Sequence, residues 1–95
     1  IEVREKELTS IARFFKALGD ETRLKILLYI GDREKCQCEI VPYIGLSQPS
    51  ISRHLQLLVN SGLLNLKKEG NKRIYSLTED AKQILFKTFL TETNN

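Results

Sequence analysis

The stretch from Leu46 to Leu64, LSQPSISRHLQLLVNSGLL, constrains the fold of this 95-residue chain most strongly, because it carries the signals of one complete amphipathic helix. Ser47 is suited to cap the first turn, since its hydroxyl can accept an otherwise unpaired backbone N–H. Gly62 follows the last periodic residue and predicts the end of the helix. The apolar residues recur at helical spacing and form one stripe: Ile51, Leu55, Leu58 and Val59.

The face away from this stripe carries side chains that donate and accept hydrogen bonds. They are Gln48, Ser50, Ser52, Arg53 and Gln56. Residues 47–77 also hold five basic side chains and one acid, whereas the remaining ten basic and eleven acidic residues nearly cancel. A polar outer face in a basic segment is typical of a helix that reads the DNA major groove, and the charge predicts a polyanionic partner.

The periodicity before this stretch predicts two further helices. The first runs from about Glu2 to Leu18 and ends at Gly19, and the second runs from roughly Glu21 to Ile30 with Asp20 as its N-cap. The second helix is apolar almost all round, so we expect it to be the buried central element. Five residues form one apolar face on the first helix: Leu8, Ile11, Ala12, Phe15 and Leu18. Phe14 lies outside that face. Two interpretations are open: the helix makes a second contact through Phe14, or its core face is wide enough to include Phe14.

A helix-turn-helix is predicted over about residues 39–62. Pro42 forbids a long helix unless it lies in the first turn, so we expect a short helix from about Glu39 or Ile40 to Ile44. A turn at Gly45 then joins it to the amphipathic helix, as in helix-turn-helix motifs. After Gly62 the pattern predicts a hairpin wing over about residues 63–77, with strands near Leu63–Lys67 and Arg73–Leu77 and a basic tip.

The chain after the wing predicts one last helix, capped by Thr78. Two apolar stripes follow, one of Ala81, Ile84, Leu85 and Phe89 and the other of Phe86 and Leu90. Both terminal helices therefore have more apolar surface than one core contact needs, which predicts a homodimer formed through them. The last five residues, TETNN, are expected to be disordered.

Length and composition predict a single domain over residues 1–95. No apolar run approaches the ~20 residues that span a bilayer, so no membrane partner is expected and a cytoplasmic location is the default expectation. We expect no enzymatic activity and no catalytic residues, because the two cysteines lack a nearby histidine base or a β-α-β context.

The order of these elements resembles the ArsR/SmtB family of small winged-helix repressors. The resemblance rests on FKALGDETRLKILLYI, KCQCEI, LSQPSISRHLQLLVNSGLL and KKEGNKRIYSL, which cover most of the chain between residues 14 and 77. It implies a homodimer that binds a palindromic operator in double-stranded DNA and leaves it when a metal or metalloid binds. Matched by position, the implied DNA contacts are Gln48, Ser50, Ser52 and Arg53 on the reading helix, with Lys72 and Arg73 of the wing on phosphates. For His54, which borders the apolar stripe, packing or a phosphate contact is favoured over base reading.

The motif Cys36-Gln37-Cys38-Glu39 resembles the Cys-x-Cys-acid motif with which family members bind trivalent arsenic or antimony, so Cys36 and Cys38 are the implied ligands. On a regular helix, residues i and i+2 point about 200° apart. Two sulfurs would then close on one ion only in an extended segment or an opened turn, which would tilt the reading helix. Val41 stands where family members often have a third cysteine, so the third ligand is solvent, a small thiol or absent.

Alternatives to metalloid binding remain open for the two cysteines. They are reversible oxidation and simple packing of two small side chains. A disulfide between them would close a very small ring and is not expected as an extracellular staple. The sequence thus predicts a homodimeric repressor with no obligatory cofactor, released by arsenite, antimonite or another thiophilic ion. The alternatives are a regulator of the same fold that answers to thiol redox state or to no small ligand, and a winged helix used for protein contacts.

Overall fold

The computed structural model describes residues 2–90 and the side chains of residues 2–87. Within that range the elements are α1 (Glu5–Leu18), α2 (Glu21–Ile30), β1 (Lys35–Cys36), α3 (Gln37–Ile44), α4 (Gln48–Asn60), β2 (Leu64–Glu69), β3 (Lys72–Leu77), α5 (Glu79–Lys82) and a π-helical segment (Gln83–Leu90). The predicted fold is confirmed: a mainly α-helical chain with a winged helix-turn-helix, in which α3 and α4 are the paired helices. No helix within residues 2–90 has the length and apolar character needed to cross a membrane.

Side-chain caps fix where three of the helices begin, as predicted. In each case the side chain accepts a hydrogen bond from the backbone N–H three residues later. The distances are 3.0 Å at Asp20, 3.3 Å at Ser47 and 3.2 Å at Thr78. The N–H donated by Arg23 to Asp20 is also the main reason why the pKa of that carboxyl lies below its ordinary value.

The core lies between α2, the helix-turn-helix and the start of β2. The largest fully buried side chains are Ile26, Leu27, Ile30, Ile40, Ile51, Leu55, Leu58 and Leu63. The stripe predicted for α4 is therefore in the core, and α2 is the central element. One residue of α2 departs from the prediction, because Leu28 is exposed at the surface.

Most of the apolar face predicted for α1 is exposed, and only its last residue, Leu18, is in the core. Leu8, Ile11 and Phe15 are 60%, 48% and 53% exposed, whereas Phe14 is half-buried and packs against the core. The reason is that α1 contacts the core mainly through its last turn, at Ala17 and Leu18. Helical periodicity identifies an apolar stripe but does not determine which neighbour covers it.

The wing is an antiparallel hairpin in which each strand is longer than predicted. Leu64 pairs with Leu77 and Glu69 pairs with Lys72, so β2 and β3 are joined by a two-residue turn. Gly70 occupies that turn at φ +62°, in the left-handed region that favours glycine. An unpredicted third strand, β1, pairs with β3 and places Cys36 opposite Ile74, which gives the strand order β1-β3-β2.

Two helix predictions need correction. Helix α3 begins at Gln37 and contains Pro42 beyond its first turn, because Cys36 at the end of β1 starts the helix earlier than expected. The Glu39 carboxylate accepts the Cys36 N–H at 2.8 Å, which satisfies a backbone donor at this start. The predicted last helix is α5 followed by the π-helical segment. The side chains of Phe89 and Leu90 and the five-residue tail lie outside the described residues.

Candidate functional site

The N-terminal half of α4 presents the predicted base-reading side chains at the surface. Gln48, Ser52 and Arg53 are exposed, and Ser50 is half-buried. The Ser50 hydroxyl lies 3.1 Å from the Ser47 hydroxyl and accepts a hydrogen bond from Arg53 Nη2 at 3.4 Å. Ser50 therefore links the helix cap to the Arg53 guanidinium and leaves most donors of that guanidinium free.

His54 lies on the flank of α4 that faces the end of α1, away from the exposed face. Its Nδ1 is 3.3 Å from Nη1 of Arg23, and Arg23 also donates from Nε to the Ala17 carbonyl at 2.8 Å. Because a guanidinium can only donate, Nδ1 acts as the acceptor and Nε2 carries the imidazole proton. This half-buried position fits the packing or phosphate interpretation, and a contact from His54 to DNA stays a prediction.

The wing carries two cations that are free to contact another molecule. Lys72 and Arg73 are exposed and form no ion pair with a side chain in residues 2–87. By contrast, Lys67 pairs with Glu34 at 3.2 Å and with Glu69 at 3.3 Å. Both bonds raise the pKa of Lys67, and the bond to Glu34 has the larger effect. Lys67 therefore contributes little to the positive surface that the sequence predicts, and the free charge lies nearer the hairpin tip.

The two cysteines straddle the junction between β1 and α3. Cys36 is the last residue of β1 and the N-cap of α3, and its sulfur accepts the Cys38 N–H at 3.0 Å. The Cα atoms are 5.0 Å apart, and the structure joins the two sulfurs in a disulfide, the oxidised form that the sequence leaves open as an alternative. The sulfurs meet at a strand-to-helix junction, where the Cys36 backbone is extended, one of the two predicted conditions, and Cys38 already lies in the first turn of α3.

A cleft of about 670 Å³ connects the cysteines to the predicted DNA contacts. Its lining includes Cys36, Cys38, Gln48, Ser52, Lys72 and Arg73. The cysteine motif, the start of the reading helix and the wing thus share one solvent-filled space. The sequence predicts each of these groups separately but does not predict that they share a cleft.

Gln37, which sequence reasoning missed, connects these three parts by hydrogen bonds. Its Nε2 donates to the Ser52 hydroxyl at 2.8 Å, and its Oε1 accepts from the Tyr75 hydroxyl on β3 at 3.3 Å. Its place between the two cysteines is the only signal of this role in the sequence. Gln37 therefore links the cysteine pair to both α4 and the wing by hydrogen bonds.

The donor set at the cysteines fits a soft ion held by two thiolates once the disulfide is reduced. In the part of the chain that the structure describes, no three His, Cys, Asp or Glu residues come together as a metal site. A closed structural zinc site needs four protein ligands, so these residues do not fit one. Two adjacent sulfurs instead leave room for at least one ligand from outside the protein.

A separate apolar groove of about 430 Å³ runs between α1, α2 and the last helical segment. It is lined by Phe15, Leu18, Leu24, Leu28, Ile84 and Leu85. Phe15 and Leu28 are about half exposed there, beside the exposed Leu8 and Ile11 of α1. A contiguous apolar surface of this kind is more often covered by another protein than left in contact with solvent.

Comparison with known proteins places the chain in a family of bacterial regulatory proteins. The family model described as "Bacterial regulatory protein, arsR family" matches residues 20–65. The chain is 46% identical over 66 residues to a "Probable mercury resistance operon repressor" of Streptomyces lividans, which covers 70% of this chain and 53% of that protein. It is 37% identical over 75 residues to the "Arsenical resistance operon repressor" of Staphylococcus xylosus, covering 79% and 69% of the two chains.

Solved structures agree with this placement. The homodimeric winged helix-turn-helix DNA-binding domain of a possible ArsR-family regulator from Mycobacterium bovis superposes with a TM-score of 0.76 at 31% identity. The superposition covers 81% of this chain and 72% of that one. The likeness therefore extends over most of the described fold.

Proposed function

Because the chain belongs to the arsR family of bacterial regulatory proteins, we propose that it is a sequence-specific DNA-binding transcriptional repressor. In this proposal α4 enters the major groove, where Gln48, Ser52 and Arg53 contact base edges. Lys72 and Arg73 bind phosphates from the wing. Ser50 supports Arg53, and His54 contacts a phosphate through its Nε2–H from the flank of the helix.

The repressor acts as a homodimer on a palindromic operator. The support is the apolar groove around Phe15 and Leu28, together with the homodimeric state named for the Mycobacterium bovis relative. A two-fold dimer presents two copies of α4, which we expect about 34 Å apart, or a multiple, so that they enter successive major grooves on one side of the duplex.

We further propose that a thiophilic metalloid or metal releases the repressor by binding Cys36 and Cys38, with arsenite or antimonite as the first candidates. The observation that carries this proposal is the shared cleft, in which both cysteines lie beside Gln48, Ser52, Lys72 and Arg73. A ligand held there obstructs the base-reading surface directly and also shifts Ser52 through Gln37. Relatives described as arsenical and mercury resistance repressors support the choice of ion.

A DNA-binding titration tests this function. Fluorescence anisotropy on the region upstream of the protein's own gene, in reducing buffer, is repeated with arsenite, antimonite and cadmium. We expect tight, sequence-selective binding that arsenite weakens, and we expect Cys36→Ser and Cys38→Ser to bind DNA without responding. Binding that stays weak and indifferent to sequence at low salt would refute the repressor function and favour a protein-contact role.

The disulfide favours a second candidate, in which the same repressor responds to thiol oxidation. Closing this bond fixes Cys38 against Cys36 at the mouth of the cleft, and reduction frees both sulfurs. The two candidates are separated by measuring DNA affinity for oxidised and reduced protein with no metalloid present. A redox sensor changes affinity on oxidation alone, whereas a metalloid sensor changes it only when the reduced protein meets the ion.

A further inference from the structure

The lining of the shared cleft is chemically mixed. Cys36 and Cys38 contribute sulfur to its lining, and Lys72 and Arg73 contribute positive charge from the wing. Gln48 and Ser52 also line the cleft, and no acidic side chain of residues 2–87 does. The cleft therefore offers both soft sulfur ligands and positive charge without an acidic residue in its described lining.

The cleft is larger and less complete than a site for a bare ion. Its volume of about 670 Å³ lies in the range of small-molecule pockets, ~300–1,000 Å³, and far exceeds the space of a single ion. Two sulfurs leave a trivalent metalloid one ligand short, and Val41, which also lines the cleft, supplies no donor. The third ligand is then either solvent or a donor atom of another molecule, and the remaining space has room for such a molecule.

We propose that the cleft binds a low-molecular-mass thiol bearing a carboxylate as co-ligand of the metalloid; this inference rests on the metalloid-sensing function proposed above. The sulfur of this thiol completes the coordination begun by Cys36 and Cys38. Its carboxylate pairs with a wing cation, Lys72 or Arg73, since consecutive strand residues point to opposite faces and neither forms an ion pair with a side chain of residues 2–87.

The chemistry balances without a further reactant. The Cys36–Cys38 disulfide is first reduced by two molecules of the thiol, which leave as their own disulfide. Arsenite, As(OH)₃, then exchanges its three hydroxyl groups for the two cysteine sulfurs and one thiol sulfur. Each hydroxyl leaves as water with the proton of the thiol that replaces it, and the arsenic stays trivalent.

This arrangement explains release from DNA by competition for the same cations. A wing cation that pairs with a carboxylate in the cleft cannot pair with a DNA phosphate at the same time. Bound co-ligand therefore lowers the affinity for DNA, and bound DNA lowers the affinity for the co-ligand by the same factor.

Three thiols of similar size but different charge test the proposal: 3-mercaptopropionate, 2-mercaptoethanol and cysteamine. Pre-reduced, DNA-free protein is titrated with arsenite at a fixed concentration of each, and binding is followed by the near-ultraviolet absorption of arsenic–thiolate bonds. We expect arsenite affinity to be highest with the anionic thiol, lower with the neutral thiol and lowest with the cationic thiol. Each step should be roughly fivefold, as for partly exposed ion pairs. Each thiol also binds arsenite in solution, so every affinity is compared with that of a variant under identical conditions.

The informative variant is the double change Lys72→Ala with Arg73→Ala, and the matched control is Lys68→Ala, which removes a wing lysine outside the cleft lining. The charge order should vanish in the double variant and persist in the control. The same thiol dependence in wild type and double variant would overturn the co-ligand proposal while leaving metalloid sensing intact. No arsenite binding with any thiol would overturn the sensing function and this inference together.

Discussion

Replacing Gln37 with alanine tests how the cysteine pair communicates with the reading helix. The side chain makes two hydrogen bonds that no other group in the cleft replaces, one to Ser52 at 2.8 Å and one from Tyr75 at 3.3 Å. In the alanine variant, the exposed Ser52 hydroxyl can bond to water instead of Gln37. The Tyr75 hydroxyl belongs to a buried side chain, so it loses its partner and has less access to water. The two losses are therefore unequal.

The expected magnitudes follow from this difference. The exposed bond to Ser52 contributes about 0.5 kcal/mol to the free energy of unfolding, at the low end for hydrogen bonds. An unsatisfied, partly buried Tyr75 hydroxyl costs about 1 kcal/mol more. We therefore expect Gln37→Ala to lower the free energy of unfolding by about 1–2 kcal/mol, which is roughly 4–15 °C in Tm for a chain of this size.

A double-mutant cycle between Gln37→Ala and Ser52→Ala isolates the contact that reaches α4. Urea unfolding of the four proteins should give a coupling free energy of about 0.5–1 kcal/mol. The arsenite-induced loss of DNA affinity should also shrink about two- to fivefold in Gln37→Ala. Gln56→Ala, which removes an α4 amide bonded to Asn60 outside the cleft, is the matched control and should leave the arsenite response unchanged.

Two results would refute this reasoning. One is additivity of the cycle to within about 0.3 kcal/mol, which would mean that the hydrogen bond to Ser52 carries no energy. The other is a full arsenite response in Gln37→Ala despite measurable coupling, which would mean that the ligand acts only by occupying the cleft.

Three other predictions concern the DNA surface, the dimer and a helix cap. Arg53→Ala should relax sequence preference and cost about 1–3 kcal/mol in operator binding, whereas Lys72→Ala should weaken all sequences alike and reduce the salt slope by about 1; a sequence-selective loss at Lys72 would contradict the wing assignment. Phe15→Glu should raise the dimer Kd at least about 100-fold in analytical ultracentrifugation, because each change acts twice in a two-fold interface, and Leu46→Glu, an exposed leucine elsewhere, should not. Asp20→Ala should lower the free energy of unfolding by about 1 kcal/mol at pH 7. Since the folded pKa of Asp20 is depressed, its contribution is present above the unfolded pKa and is lost as pH falls through the folded one, so the difference from wild type should shrink below about pH 4; a constant difference would contradict the Asp20–Arg23 bond as its cause.

The features predicted correctly from sequence are those that short-range chemistry determines. Asp20, Ser47 and Thr78 each cap a helix through a backbone group three residues away, so a local pattern suffices to find them. The hairpin turn at Gly70 is equally local, because the turn itself requires a positive φ.

The features that sequence reasoning missed depend on partners distant in the chain. The two residues of β1 are too few to show an alternating pattern, and they form a strand only because β3 lies beside them. Gln37 meets Ser52 and Tyr75 across 15 and 38 positions, which no local window contains. The exposure of Leu8 and Phe15 on α1 could not be predicted for a related reason. Periodicity places both residues on one face but does not determine what that face contacts.

The strand-to-helix junction at the cysteines also determines whether the motif can be transplanted. A graft of Cys-x-Cys into the middle of a helix would point the two side chains about 200° apart, so copying these three residues alone would not create a responsive protein. The portable unit is residues 35–44 together with an acceptor strand equivalent to β3, because pairing with that strand holds Cys36 at the start of α3. An engineered sensor built from this chain would need both parts, and a sequence search for new sensors would do well to require a strand edge beside the two thiols.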